Sequence, residues 1–186
     1  MTIPDPGRNG HLPRGRFSCT LDEFRRKFVL DSRFVASGTR ADIWGDFEKA
    51  LEYLNSRFSK GLVECVWVGG GYVSAKLDPS DIDVTFILNK EVFDGLSKTQ
   101  QNKLKRLLRA GGFVALGMSV DGFMILRERI ALPWSGGGLG NAGLDYFPIR
   151  GAWDDWWSRA RNHGHPGGPP VVEDSDPMRG YLEVLV

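Results

Sequence analysis

The sequence predicts a protein that combines helices with strands, and three stretches carry the prediction. From Asp42 to Phe58 the apolar residues Ile43, Trp44, Phe47, Ala50, Leu51, Leu54 and Phe58 recur every three or four positions, which aligns them on one face of a helix. Leu62 to Val68 is a short apolar run rich in β-branched residues, and Asp81 to Leu88 alternates before it enters Phe86-Ile87-Leu88. Both read as strands. A chain of 186 residues is long enough for one well-buried core and short for two. Residues 20–186 are therefore expected to form a single domain behind a flexible arm at 1–19.

The arm is rich in Pro, Gly and Arg. Thr20-Leu21-Asp22-Glu23 then has the signature of a helix start, a capping Thr followed by acids in the first turn, and a short helix to about Val29 is expected. Ser97 to Arg109 sets Leu104, Leu107 and Leu108 against five Lys and Arg residues, the pattern of an amphipathic helix whose basic side is a solvated face. Phe113 to Leu116 and Phe123 to Ile130 read as strands. Leu132 to Gly143, with five glycines, reads as a mobile connection into Leu144–Ile149, a third core strand. Trp153, Trp156 and Trp157 share one face of a following helix, with Asp154 and Asp155 in its first turn, Arg159 and Arg161 in its last and Gly164 beyond its end. A polar, Pro-rich segment to about Arg179 precedes Gly180–Leu185, whose alternation suits an edge strand.

Hydrophobic residues at 41% and charged residues at 25% are ordinary for a folded globular chain and argue against disorder or a membrane class. A net charge of +1 lacks the basic excess of a protein that grips nucleic acid by charge alone, although a local basic patch is compatible with it. Cys19 and Cys65 stand far apart with no CxxC spacing, and Cys65 lies inside an apolar run where it reads as a small core residue. No apolar stretch approaches the ~20 residues that cross a bilayer, and residues 1–15 carry no apolar targeting segment. The expected setting is reduced and cytoplasmic, with no membrane contact.

Chemistry concentrates at Asp81 and Asp83. On a strand, residues two apart face the same way, so these carboxylates share a face while Ile82 and Val84 enter the core. Like charges so placed repel unless a cation is shared, and hard oxygen ligands suit Mg²⁺ or Mn²⁺. Spacing alone decides nothing, because Asp174-Ser175-Asp176 has the same spacing in a segment with no strand pattern, where it reads as a solvated loop. Context distinguishes the first pair: an apolar strand ending at Val68, then Gly69-Gly70-Gly71, then the turn-forming Leu77-Asp78-Pro79-Ser80, then the acids. Glycines after a strand let backbone N–H groups approach phosphate oxygens without a Cβ in the way, which suits a nucleoside triphosphate.

Val68-Gly69-Gly70-Gly71-Tyr72-Val73-Ser74 followed by Ser80-Asp81-Ile82-Asp83-Val84 resembles the hallmark of the DNA polymerase β-like nucleotidyltransferase superfamily: a hydrophobic residue, Gly-Gly or Gly-Ser, a spacer of about ten, then Asp-x-Asp. The likeness is closest to the minimal nucleotidyltransferase-like proteins of bacteria and phages, including toxin or antitoxin components. The hallmark covers Val66 to Leu88, and the neighbouring elements extend the resemblance to Trp44 through Ile149. The resemblance implies an α+β fold with a mixed, mainly antiparallel sheet, helices mostly on one face and the carboxylates at one end of the central strands. It also implies a third carboxylate from a neighbouring strand, for which Asp145 is the best match. Asp81, Asp83 and Asp145 would then be the catalytic and metal-binding set, working with Mg²⁺ or Mn²⁺ in a two-metal reaction that releases pyrophosphate, and Gly69, Gly70, Gly71 and Ser74 would bind the nucleotide. Many members have Ser where this chain has Gly71, so backbone amides or Ser74 would have to compensate.

The implied activity is transfer of NMP from ATP, CTP or another NTP to a hydroxyl of RNA, tRNA or a protein, as a toxin-antitoxin or phage accessory factor. The alternative is a catalytically weak or inactive regulator or antitoxin with the same fold that holds a cognate partner protein. A third reading, an interaction protein whose glycines and acids coincide, leaves the order of elements around the motif unexplained. His163 and His165 flank Gly164 without Cys or carboxylate neighbours in sequence and read as loop residues rather than a zinc site. Arg127, Arg129 and Arg150 are candidates for phosphate contacts or for plain surface charge.

Overall fold

A computed structural model describes residues 3–131, 141–163 and 168–186, with 141–144 as backbone alone. Strands β1 (Gly15–Thr20), β2 (Val63–Gly69), β3 (Ile82–Asn89), β4 (Val120–Arg127) and β5 (Gly180–Leu185) form one mixed sheet in the order β1-β5-β2-β3-β4. Helices α1 (Leu21–Phe28), α2 (Arg40–Arg57), α3 (Lys90–Asp94), α4 (Lys98–Leu107) and α5 (Asn141–Ser158) complete an α+β protein. The sheet is mixed in equal parts rather than mainly antiparallel: β1/β5 and β3/β4 are parallel, β2/β3 and β2/β5 antiparallel. The parallel β3/β4 pair arises because α3 and α4 carry the chain back between them, as a parallel connection requires.

The helical starts form where the sequence supplies caps. Thr20 accepts from the Glu23 amide at 3.2 Å while Glu23 accepts from the Thr20 amide at 2.8 Å, a reciprocal capping box; Ser97 and Gln100 repeat it for α4. Such a box satisfies two of the four amides that a helix start leaves without partners. The apolar stripe of α2 buries Ile43, Trp44, Phe47, Ala50, Leu51 and Leu54. Together with Phe24, Phe28, Phe93 and Leu104 of the other early helices it covers the sheet face formed by Val66, Val68, Val84, Phe86, Leu182 and Val184. The opposite face, with Cys65, Trp67, Ile87, Ile125 and Tyr181, is covered by α5 through Trp157, Trp153 and Tyr146. No described helix is long and apolar enough to cross a membrane.

Four sequence expectations are corrected here. The expected flexible arm at 1–19 is, over residues 3–19, part of the body: residues 15–20 are a strand paired with β5, and Ile3 and Leu12 are buried. Phe113–Leu116 is a tight turn, because Gly111-Gly112 before it and Gly117 at φ +78° after it leave no length for a strand. Leu144–Ile149 lies in α5, whose face of Tyr146, Trp153 and Trp157 runs at helical spacing through Pro148. β5 is not an edge strand; it is inserted between β1 and β2. The connection expected at 132–143 falls mostly outside the described residues, as do Gly164 and His165.

Candidate functional site

Strand polarity gathers the acids. β3 and β4 run parallel, so Asp83 and Asp121 are direct register partners, and Asp81 lies just before β3, near enough for its charge to act on Asp83. Neighbouring strands lie about 4.8 Å apart, which places the Asp83 and Asp121 carboxylates at one corner of the sheet, on the side covered by α5, with Asp81 at the strand's entry. The start of β4 is fixed from below by α2: Asp46 accepts from the Ser119 amide at 3.0 Å, and Ser119 in turn accepts from the Ile82 amide at 3.0 Å. Asp121 accepts from the Gly111 amide at 3.2 Å, and Asp81 from the Ser80 hydroxyl at 3.2 Å. Burial, reinforced by the charges of Asp81 and Asp121, lifts Asp83 from the ordinary Asp value to about 6 against the pull of Arg179 and Arg161.

The glycines are spent on this corner. β2 ends at Gly69, directly opposite Asp83, and a Cβ on Gly69 would overlap the ring of Trp157. The space is filled by that indole, which donates from Nε1 to Thr85 Oγ1 at 3.0 Å. Gly70 has φ +69°, and a Cβ there would collide with Oδ2 of Asp83. Only glycine meets both conditions. Gly71 faces neither constraint, since a Cβ would come no closer than 3.6 Å to Lys76.

The turn that follows contains no helix, and an arginine from α2 holds it. Arg40 is 1% exposed, and its guanidinium donates to the carbonyls of Phe28, Tyr72, Ser74, Lys76 and Leu77 at 2.6–3.2 Å. It also packs on the rings of Phe34 and Tyr72. Burial lowers its pKa to about 10, so it stays charged at neutral pH. Five main-chain acceptors take the place of a counter-ion, because a guanidinium presents five donors in a fixed fork.

Above Gly70, Gly71 and Asp83 opens a cavity of about 550 Å³ whose further walls include Lys76, Arg161, Arg179 and His11. Arg179 stands beside Asp83 because β5 begins at this same corner; its Nε donates to the Trp157 carbonyl at 3.3 Å. Burial lowers the Arg179 pKa, opposed by Asp83. The ring Nδ1 of His11 and the Nε of Arg159, both lining the cavity, are buried with no hydrogen-bond partner among the described residues. Of the three acids only Asp83 lines this cavity, and the cationic and donor groups around it suit an anionic ligand.

Five candidate contributors are elsewhere. Asp145 is exposed on α5 and borders a small cavity with Lys90 and Ile125, toward the far ends of β3 and β4. Asp121 has the position expected of the third carboxylate, on the neighbouring strand. Ser74 is buried within the turn, donating to the Gly71 carbonyl at 2.6 Å and accepting from the Lys76 amide, so its hydroxyl faces away from the cavity lining. Arg127 and Arg129 pair with Glu64 at 2.6 and 3.8 Å at the opposite strand ends, near Arg150. Asp174 is not solvated: it is 3% exposed and accepts from the amides of Asn162, His163 and Val171.

The acids fit a hard divalent cation by donor chemistry, and by a glycine cradle that keeps one oxygen of Asp83 clear of side chains. Among the described residues no group of three or more Asp, Glu, His or Cys side chains is placed to hold a metal ion. A profile described as a family of unknown function (DUF6932) matches residues 4–173. No curated protein and no solved structure matches the chain.

Proposed function

The chain belongs to the DUF6932 family, and for it we propose metal-dependent nucleotidyl transfer on a polymerase β-like nucleotidyltransferase fold. The observation that carries this reading is the register of Asp83 with Asp121 across the parallel β3/β4 pair, beside Gly70. The order β2, glycine turn, acid-bearing β3, crossover and acid-bearing β4 supports it further. In this reading Asp81, Asp83 and Asp121 would hold Mg²⁺ or Mn²⁺, which when bound supplies charge neutralisation for the phosphates and a more acidic acceptor hydroxyl.

The chain's own residues bind and orient. Arg161, Arg179 and Lys76 face the phosphates, Gly70 and Gly71 let them approach the backbone, and Trp156 and Trp157 wall off water. The acceptor oxygen forms a bond to the α-phosphorus as the bond from that phosphorus to the β-phosphate's bridging oxygen breaks. Pyrophosphate leaves with the bonding pair, and the acceptor proton passes to solvent. The expected setting remains intracellular, with RNA, tRNA or a protein as acceptor and a role such as a toxin-antitoxin component.

Incubation of the protein with each of four α-³²P NTPs, Mg²⁺ and total RNA or protein tests the reading, with Asp83→Asn/Asp121→Asn as control. Label on an acceptor in wild type alone supports it; no transfer in any mixture defeats it. The inward hydroxyl of Ser74 and the missing one at Gly71 favour the second reading, a regulator that keeps the fold and holds a partner protein. Calorimetry separates the two, since a regulator without a nucleotide site gives no heat with Mg²⁺-NTP.

A further inference from the structure

From Gly95 to Val120 the chain has no carboxylate, yet Lys98, Lys103, Lys105, Arg106 and Arg109 fall within that stretch. A protein of net charge +1 thus gathers five cations on one segment and is net negative over the rest. α4 carries four of them and Arg109 follows its end. Leu104 and Leu107 turn the other side of the helix into the core, and all five cations are exposed. Lys98 and Lys105 are two turns apart on one side of α4, about 10.5 Å along its axis, with Arg106 beside Lys105. None of the five pairs with a carboxylate among the described residues, whereas Lys27, Lys49, Lys90, Arg127 and Arg159 each do.

A row of unpaired like charges favours a polyanion, whose own counter-ions are released as its charges are neutralised. Phe93 and Phe113, which flank α4 in sequence, are buried, so neither offers a ring on which a base could stack. The leucines of α4 are used in the core and leave the helix no apolar side to enter a bilayer. What the surface offers is contact with phosphates. It also leads to the acids, because β4 is the edge strand and the chain leaving α4 meets its carboxylate at once: Arg109 is two residues before Gly111, whose amide donates to Asp121 at 3.2 Å.

We propose that α4 and Arg109 hold the phosphate backbone of a nucleic-acid duplex without reading its sequence. A duplex so held has one end beside Asp121, which identifies the acceptor as nucleic acid rather than protein. The use made of that end rests on the nucleotidyl-transfer reading; the binding does not.

Fluorescence anisotropy of a labelled RNA duplex, titrated with the full chain in EDTA at low salt, tests the binding. Wild type is expected to bind with affinity that falls steeply as salt rises. Lys105→Gln/Arg109→Gln should weaken binding at least about tenfold and flatten the log–log salt slope by about 0.9 per charge removed. A DNA duplex of the same sequence should compete within about threefold, because only phosphates are touched. Arg25→Gln/Arg26→Gln removes the same charge from α1, which follows β1 at the far edge of the sheet, and should bind like wild type. All four side chains are exposed, and circular dichroism checks that each variant is folded. The proposal is overturned if the RNA does not bind, if the DNA does not compete, if Lys105→Gln/Arg109→Gln binds as tightly as wild type, or if the α1 variant loses as much. Val114 and Leu116, exposed on the turn beyond α4, make an anionic membrane the rival occupant. Phosphatidylserine vesicles that displace the RNA at equal concentration of charge decide for the membrane and against the duplex. Duplex binding without any NTP transfer leaves this surface standing and removes the nucleotidyl-transfer reading. Transfer to RNA that is indifferent to Lys105→Gln/Arg109→Gln does the reverse.

Discussion

Asp83 on β3 and Asp121 on β4 are register partners of a parallel ladder, so their carboxylates leave the same face of the sheet one strand apart. Replacing either by Asn should reduce metal-dependent transfer by at least about a hundredfold, whereas Asp145→Asn should leave it within about twofold. The same Asp83→Asn change removes a buried charge that its neighbours oppose. Thermal unfolding without metal should therefore show the variant more stable by about 1–3 kcal/mol. A lower melting temperature for Asp83→Asn would contradict the repulsion.

The raised pKa of Asp83, about 6, fixes the direction of two pH effects. Below the unfolded Asp value near 3.8 the group is protonated in both states. Between about 4 and 6 the folded chain holds a proton that the unfolded chain has lost, so this contribution to stability declines as pH rises and is gone above 6. Its full size is up to about 3 kcal/mol. Metal affinity runs the other way, because the cation must displace that proton: Mn²⁺ binding followed by electron paramagnetic resonance should strengthen up to about tenfold per pH unit from 4 to 6 and level off above. Arg161 and Arg179 act against the shift, so removing Arg179 should move the plateau to higher pH.

Gly70 and Gly71 are adjacent and should respond oppositely. Gly70→Ala places a Cβ at φ +69° against Asp83 and should cost about 2–4 kcal/mol in denaturant unfolding. Gly71→Ser has room and an ordinary backbone, so a change under about 1 kcal/mol is expected. Its new hydroxyl should tighten NTP binding measured by calorimetry.

Arg40 is tested by what replaces its donors. Arg40→Met leaves the carbonyls of Tyr72, Ser74, Lys76 and Leu77 without the guanidinium and should destabilise by about 3 kcal/mol or more. Arg40→Lys keeps the charge with three donors for five acceptors, so an intermediate loss is expected. Hydrogen exchange of the amides at 70–77 should quicken in both variants, by more in Arg40→Met.

Local signals made much of this architecture legible before any coordinates. The 3–4 spacing of α2, the Thr20 and Ser97 caps and the apolar runs of β2 and β3 are decided by neighbours in sequence, and each forms where its pattern lies. Asp81, Asp83 and the glycines share that legibility, being separated by one turn. Asp121 was readable in principle, since Val120-Asp121-Gly122 begins the alternation that starting the strand at Phe123 cuts off. Asp145 precedes Tyr146-Phe147-Pro148-Ile149, whose aromatics and Ile suit a strand although Pro148 does not, and packing of Tyr146, Trp153 and Trp157 against the sheet makes the run a helix. Arg40, Arg161 and Arg179 left no sequence signal, because their roles arise from where α2, α5 and β5 meet the glycine corner.

The insertion of β5 between β1 and β2 makes the sheet complete only when a strand distant in sequence arrives. β1 pairs in parallel with a segment 165 residues away, Gly15 against Gly180. Until then β1 and β2 each expose an unpaired edge, and such edges recruit strands from other chains. Pairing at this separation is slow, so the folding of this protein should be governed by late entry of β5. A partner or chaperone that occupies the gap would hold the molecule in an unfinished state whose Arg179 has not yet reached Asp83.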